Sequence, residues 1–427
     1  MSVVVLLAPA SLLQSSMPDL NVVVLLFGSL TLVLSLFSGF LKERIYVVTD
    51  PLVATLFGVV IGPVGLGLLV LPAGWEPLIV VEQIARLTVA LAVTSIALRL
   101  PQSYVRRRAR SLAVLLVPGM TAMWLLSGLS AYVAIGVSFW TAMLIGAVVT
   151  PTDPVIANTI VTGRLAEANI PDGVRRLVSG ESGANDGLAA PFVHLGILAV
   201  LHPFGAALAE WVPTTFVREL AIPIAVGAGV GTAAGVVERW TSEQQLADET
   251  SVLTVTVALT FAVLGAVTVL DGGGILGVFV AALAYNWCAD PTDEAREQQV
   301  TEVFNRLFSY PVFVLFGMEI PWREWTALGW RGPALVVAVL LVRRLPMVLA
   351  LGPRIHPLDT RRSRLFVGWF GPIGIAALYY ATLAARETGA EVVWVAGSLV
   401  VAGSLLVHGI SATPLTRWYG ERDADAR

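Results

Sequence analysis

The chain has 427 residues, of which 56% are hydrophobic and only 13% charged, with a formal net charge of −3. A soluble domain carries about 25% charged residues, so this is the composition of an all-α polytopic membrane protein, and no sizeable soluble domain is expected at either end. The small net charge gives no reason to expect a nucleic-acid partner. A lone cysteine, Cys288, excludes an intrachain disulfide or a multi-cysteine metal site, and a chain whose one lysine is Lys42 has no P-loop.

A membrane span needs about 20 mostly apolar residues. Such runs fall at 21–40, 51–71, 79–99, 111–135, 138–160, 174–201, 214–237, 251–269, 272–288, 303–320, 331–351, 362–386 and 391–415, about thirteen in all. Segment 1–15 is apolar but short, a half-helix or a leader, and Met1–Ala10 lack the basic start of a cleaved signal peptide. Lys42, Arg44, Arg106–Arg108, Arg110, Arg164, Arg175, Arg176, Arg354, Arg361, Arg362 and Arg364 all fall on one side of thirteen spans. Arg323, Arg331 and Arg386 are exceptions, whereas loops 71–78 and 202–213 hold no Lys or Arg. The positive-inside rule then puts the amino terminus outside and the carboxyl terminus, with Arg417 and Arg422, in the cytoplasm of a cell-membrane protein. The acidic loops 238–250 and 289–302 lie on the inner side, either as a solvated face or as a cation-attracting vestibule.

The fifth run contains Thr150-Pro-Thr-Asp-Pro154, and the sixth contains Glu181-Ser-Gly-Ala-Asn-Asp-Gly187. Pro151 and Pro154 bracket Asp153 and prevent an unbroken helix. Seven spans later, Gly371, Pro372 and Gly374 interrupt the twelfth run in the same way. An odd separation inverts the topology, so the pattern predicts inverted repeats with two broken helices that cross near the midplane. There Asp153 would offset the positive ends of half-helices.

A carboxylate at membrane depth needs a partner, a proton or a cation. Asp186 follows Asn185 and is flanked by Gly183 and Gly187. It is the candidate carrier, able to hold either a proton or a dehydrated Na+, and that exclusive occupancy by itself gives antiport. Na+ takes oxygen ligands, as hard cations do. Ser182 stands one helical turn before Asp186, and Thr152 in the broken fifth run offers a second hydroxyl. Both either ligate the cation or bond local carbonyls. Glu181 needs a cation of its own, and the eleventh run supplies Arg343 and Arg344. Neighbours on a helix diverge by about 100°, so one of the two faces Glu181 and the other is free to snorkel to a helix end. His194 lies two turns beyond Asp186, a packing or proton-relay residue. Glu82, Arg86 and Arg99 read as interfacial anchors, and Asp271 starts a tight turn with Gly272–Gly274.

Thr152-Asp153-Pro154, followed by Glu181-Ser182 and Asn185-Asp186-Gly187, resembles the sodium/proton antiporters of the cation:proton antiporter-1 family. Phe308, Phe316 and Gly317, the eleventh-run arginine and the broken twelfth run extend the likeness over most of the chain. The resemblance implies a homodimer of thirteen-helix protomers in the lipid membrane, with a core bundle from about 79–201 and 303–415 and the remaining helices as dimerisation scaffold. It implies a cation site of Asp186, Ser182, Thr152 and Asn185 with Na+ at Asp186, Asn185 also supporting the unwound helices, with Asp153, Glu181 and Arg343 or Arg344 as structural support, and no cofactor. Asn185 before Asp186 implies electroneutral exchange. The third run departs from the family, offering only the hydroxyls Thr94 and Ser95 where relatives often have an acid, so K+/H+ exchange stays open beside Na+/H+. An intramembrane aspartyl protease using Asp153 and Asp186 is expected to show Gly-any-Gly-Asp, whereas this chain reads Gly183-Ala-Asn-Asp. A channel or sensor would bring a multi-subunit polar ring or a soluble domain. No enzymatic chemistry is therefore expected.

Overall fold

The computed structural model describes residues 20–44, 49–71, 74–244, 249–289 and 294–424. All regular structure among them is helical. The helices are α1 (Leu20–Arg44), α2 (Asp50–Ile61), α3 (Pro77–Arg99), α4 (Tyr104–Ile135), α5 (Phe139–Val148), α6 (Pro154–Val161), α7 (Arg164–Asn169), α8 (Asp172–Leu201) and α9 (Phe204–Glu243). They continue as α10 (Glu249–Val269), α11 (Gly274–Cys288), α12 (Glu294–Met318), α13 (Trp322–Ala327), α14 (Arg331–Val342), α15 (Leu345–Leu351), α16 (Arg361–Trp369), α17 (Ile375–Thr388) and α18 (Glu391–Ala424). Six of the helices or near-continuous helix pairs are long and apolar enough to cross a membrane by length and composition. Apolar side chains such as Val133, Phe216 and Val269 point outward and are exposed, as a lipid-facing surface requires.

Each of the thirteen apolar runs falls on a helix or a helix pair, with two boundary corrections. The second run was expected to be helical to 71, but α2 stops at Ile61, where Gly62 turns extended ahead of Pro63. Residues 202–213 were expected to form a loop. They instead form the start of α9, with only His202 and Pro203 separating it from α8. Pro213 lies inside that helix and is followed by a π-helical stretch, Thr215–Ala221. Pro118 is accommodated within a similar stretch, Leu115–Gly119. Widened turns of this kind absorb a missing amide donor without ending a helix. The expectations for segment 1–15 and for parts of the acidic loops (245–248 and 290–293) lie outside the described residues.

Helix α3 is central. Every residue from Thr88 to Leu98 is buried, the mark of a helix enclosed on all sides. It packs against α8, α11, α12 and α17. Its carboxyl end is held by Asn286 of α11, whose Nδ2 donates to the carbonyls of Ala97 at 3.1 Å, Leu98 at 3.4 Å and Leu100 at 3.0 Å. These are the carbonyls a helix end leaves without intrahelical partners. Asn286→Ala should therefore cost about 1–3 kcal/mol through buried acceptors left unpaired. Thermal unfolding in detergent measures this, and a melting temperature equal to that of the parent would contradict the capping role.

Candidate functional site

The fifth run is interrupted between α5 and α6, the twelfth between α16 and α17, and the two unwound segments touch. The Asp153 amide donates to the Pro372 carbonyl at 2.8 Å. Asp153 is 1% exposed, and its two carboxylate oxygens serve two different helices. Oδ1 accepts from the Ile156 amide at 2.9 Å and caps α6, while Oδ2 accepts from the Ile375 amide at the start of α17. One negative charge thus offsets the positive ends of both half-helices. Gly374 is what lets the strands approach: a Cβ there would overlap the Asp153 carboxylate.

The opposite ends are held by a positive charge. Nη1 of Arg343 donates to the carbonyls of Val149, Thr150 and Pro151 at 2.7, 2.8 and 3.1 Å, and Nη2 donates to the Gly371 carbonyl. Arg344 forms a two-pronged pair with Glu181, at 2.5 and 2.6 Å, and its Nε donates to the Val367 carbonyl at 2.9 Å. Both arginines are 2% exposed, so neither snorkels, contrary to the sequence expectation for the one that does not face Glu181, which is Arg343. The reason is a third interruption: α14 ends at Val342 and α15 begins at Leu345, with Pro346 removing the amide a continuous helix would use. The bend frees the two side chains from a 100° divergence.

Thr152, Ser182 and Asn185 lock together. The Thr152 amide donates to Asn185 Oδ1 at 3.1 Å, and Asn185 Nδ2 donates to Thr152 Oγ1 at 2.7 Å. The Ser182 hydroxyl donates to the Thr152 carbonyl at 2.5 Å. Both functions of the Asn185 amide are thereby engaged in holding the unwound fifth run. Asp186 sits beside them, 0% exposed. It is the one carboxyl group among the described residues with both oxygens buried and without a hydrogen-bond partner. Its backbone carbonyl accepts from Tyr380 Oη of α17 at 2.7 Å, a residue that reading the chain in order does not single out.

Two cavities flank this layer at opposite ends of α8. The larger, about 1230 Å³, is lined by Ser179, Arg99, Asn158, Arg175, Glu302 and Arg306, among others. The smaller, about 280 Å³, is lined by Gly187, His194, Glu219, Arg86, Tyr379 and Tyr380, among others. His194 Nδ1 stands 3.7 Å from Glu219 Oε1. The reading of Glu82, Arg86 and Arg99 as interfacial anchors needs correction, because each turns toward protein. Arg99 donates to Asn158 Oδ1 at 2.7 Å, Glu82 pairs with Arg386 at 3.0 Å, and Arg86 lines the smaller cavity. Thr94 bonds Thr260 at 2.7 Å and Ser95 faces Arg99 at 3.4 Å, so no contact joins either hydroxyl to Asp186.

Broken helices with polar backbone turned inward onto a buried carboxylate, in a multi-pass membrane protein, are the architecture of a secondary transporter. The family model for the transmembrane sodium/hydrogen exchanger matches residues 29–418, and the chain belongs to that family. It is 33% identical to a Na+/H+ antiporter of Saccharomyces cerevisiae over 84% of this chain and 37% of that protein. It is 32% identical to Na+/H+ antiporter 2 of Zygosaccharomyces rouxii over 83% of this chain and 45% of that one. The chain thus spans less than half the length of these two relatives. Its fold is similar to that of the sodium proton antiporter MjNhaP1 from Methanocaldococcus jannaschii, with a TM-score of 0.65 at 18% identity, covering 94% of this chain and 98% of that one.

Glu181→Gln leaves the Arg344 guanidinium buried without its counter-charge and should destabilise the protein by about 3–5 kcal/mol. Neutralising Arg344 in the same chain should recover part of that loss, because partners in one pair are not additive. A double-mutant cycle on thermal or denaturant unfolding reads the coupling, and a coupling of zero would show that the pair does not hold the two helices together.

Proposed function

We propose that the protein is a secondary antiporter that exchanges a monovalent cation, Na+ first, for H+ by competition at Asp186. The observation that carries this reading is a balance of charge. Asp153 is answered by two helix amino termini and Glu181 by Arg344, while Arg343 is answered by four carbonyls. Asp186 alone has no answer. A buried, uncompensated carboxylate is costly, and a proton or a dehydrated cation removes that cost. The two cannot be held at full strength together. The names of the relatives supply Na+ as the cation to test first. Ser182 Oγ keeps acceptor capacity and Thr152 presents a hydroxyl and a carbonyl, so these are the oxygens proposed to join Asp186 around the cation. Asn185 is proposed to hold Thr152 in place rather than to ligate the ion.

The same reading assigns α3–α8 and α12–α18 to a moving core, and α1, α2 and α9–α11 to a scaffold through which two copies pair. Arg175, Arg176 and Arg306 line the larger cavity, which supports a cytoplasmic assignment for that side under the positive-inside rule. The amino terminus would then lie outside and the carboxyl terminus in the cytoplasm. The single carboxylate at 186 supports one-for-one exchange.

Proteoliposomes holding a pH dye, challenged in turn with Na+, Li+ and K+, test the activity. Asp186→Asn should remain folded and lose cation-driven proton flux, and a mutant exchanging at the parental rate would exclude Asp186 as the carrier. Competition also fixes the sign of the pH dependence. Protons occupy the site as pH falls, so apparent cation affinity must weaken, by up to about tenfold per pH unit on the acidic limb for one proton per cation. A cation KM independent of pH across that limb would sink the shared-site mechanism.

A further inference from the structure

The unwound stretch of the twelfth run, residues 370–374, has a third anchor besides Asp153 and Arg343. It comes from α18, a helix with no part in the carboxylate chemistry. Ser404 and His408 lie one turn apart on α18, at 0% and 3% exposure. The Ile373 amide donates to Ser404 Oγ at 2.7 Å. Ser404 Oγ is 3.0 Å from His408 Nδ1, and His408 Nε2 is 3.1 Å from the Trp369 carbonyl. Nδ1 also stands 3.2 Å from the Ser404 carbonyl.

The hydrogens can be assigned atom by atom. A carbonyl only accepts, so Nε2 carries the ring proton and gives it to Trp369. In the neutral ring Nδ1 is then bare: it accepts from the Ser404 hydroxyl at the shorter distance, and its 3.2 Å approach to the Ser404 carbonyl is a contact between two acceptors, not a hydrogen bond. That hydroxyl, having given its own hydrogen to Nδ1, takes the Ile373 amide on a lone pair. Every polar atom of the relay is used, and the relay spans the break from the last carbonyl of α16 to an amide two residues ahead of α17. The rings of Trp369 and Phe370 lie 5.7 and 6.2 Å from the imidazole, so the relay is walled from water.

We propose that Ser404 and His408 are positioning residues for exchange: they fix the 370–374 segment so that the Ile375 amide meets Asp153 and the two broken helices keep their register beside Asp186. This deepens the antiport reading and rests on it for its functional half. Misplacement of about 1 Å at a working site can cost up to about 100-fold in rate, so the effect belongs in turnover rather than in cation KM.

The experiment uses Ser404→Ala, His408→Ala, the double variant and His408→Gln, which keeps an amide donor for Trp369 but not the ring. Amide hydrogen exchange over 370–376, measured on the whole protein in detergent, should speed up about tenfold or more in each single variant, with α12 and α14 unchanged. The double variant should be no faster than His408→Ala, since one relay is cut once, and His408→Gln should fall between it and the parent. In proteoliposomes the same order should appear in turnover, with cation KM within about threefold of the parent. Unchanged protection of 370–376 in Ser404→Ala overturns the relay. A loosened segment with parental turnover overturns the positioning role. Should His408→Ala fail to fold, Ser404→Ala and His408→Gln decide the matter by the same two readouts. A parent that shows no cation–proton exchange at all fails the antiport reading and the positioning role with it, whereas the hydrogen-exchange arm still judges the relay.

Discussion

Backbone that leaves helical geometry inside a bilayer has no water to bond to, and the structure depends on how that demand is met at two adjoining breaks. Asp153 and Arg343 meet most of it between them. The carboxylate takes the amide-bearing starts of α6 and α17. The guanidinium takes the carbonyl-bearing ends that precede them. Charge and helix polarity agree at all four ends. Arg344 beside Arg343 is committed to Glu181, so the crossing rests on Asp153 and Arg343, two residues far apart in the chain. Ser182 donates to one further backbone group at the breaks, and Asn185 and Ser404 accept from two others.

Once those ends are satisfied, the chemistry follows by subtraction. Glu181 and Arg344 cancel, and they tie α8 to the bend between α14 and α15. What remains is one carboxylate without a partner, whose backbone carbonyl is bonded by Tyr380 and whose neighbours along α8 line the smaller cavity. A site defined by what its surroundings leave unpaired needs no preformed cage of ligands. It needs only that every other charge in the layer be spoken for.

Much of this was legible in the chain itself. Prolines and glycines inside apolar runs marked the breaks of the fifth and twelfth spans, because such residues have few other uses there. Acids in the middle of the fifth and sixth runs, Asp153, Glu181 and Asp186, marked the candidate site. The bend at Arg343–Arg344 was harder to see, since Pro346 follows the arginines and the run looks continuous in hydropathy. The partners of Arg99 and Glu82, and the Trp369 carbonyl bonded by His408, were not legible, because each lies dozens to hundreds of residues away and polar residues near a span end look alike whether they face water or protein. The short helices α7 and α13 fell below the length at which apolar periodicity speaks. What Asn185 bonds was not legible either: only the fold shows both its amide functions engaged with Thr152.

The two cavities have an electrical consequence. Ser179 lines one and Gly187 the other, and eight residues of helix separate them by about 12 Å. Water reaching into both would carry the voltage of either bulk phase to that thin septum, so nearly the whole membrane field would drop across it. Within the septum the Asp153–Arg343 and Glu181–Arg344 groups are dipoles of no net charge, and Asp186 is the one monopole. On the proposed exchange, a proton or a monovalent cation at Asp186 would cancel that monopole, and the loaded layer would shift through the focused field without electrical work. Empty, it would have to drag a full charge across, so the field itself discourages the unloaded step that would let the gradient leak.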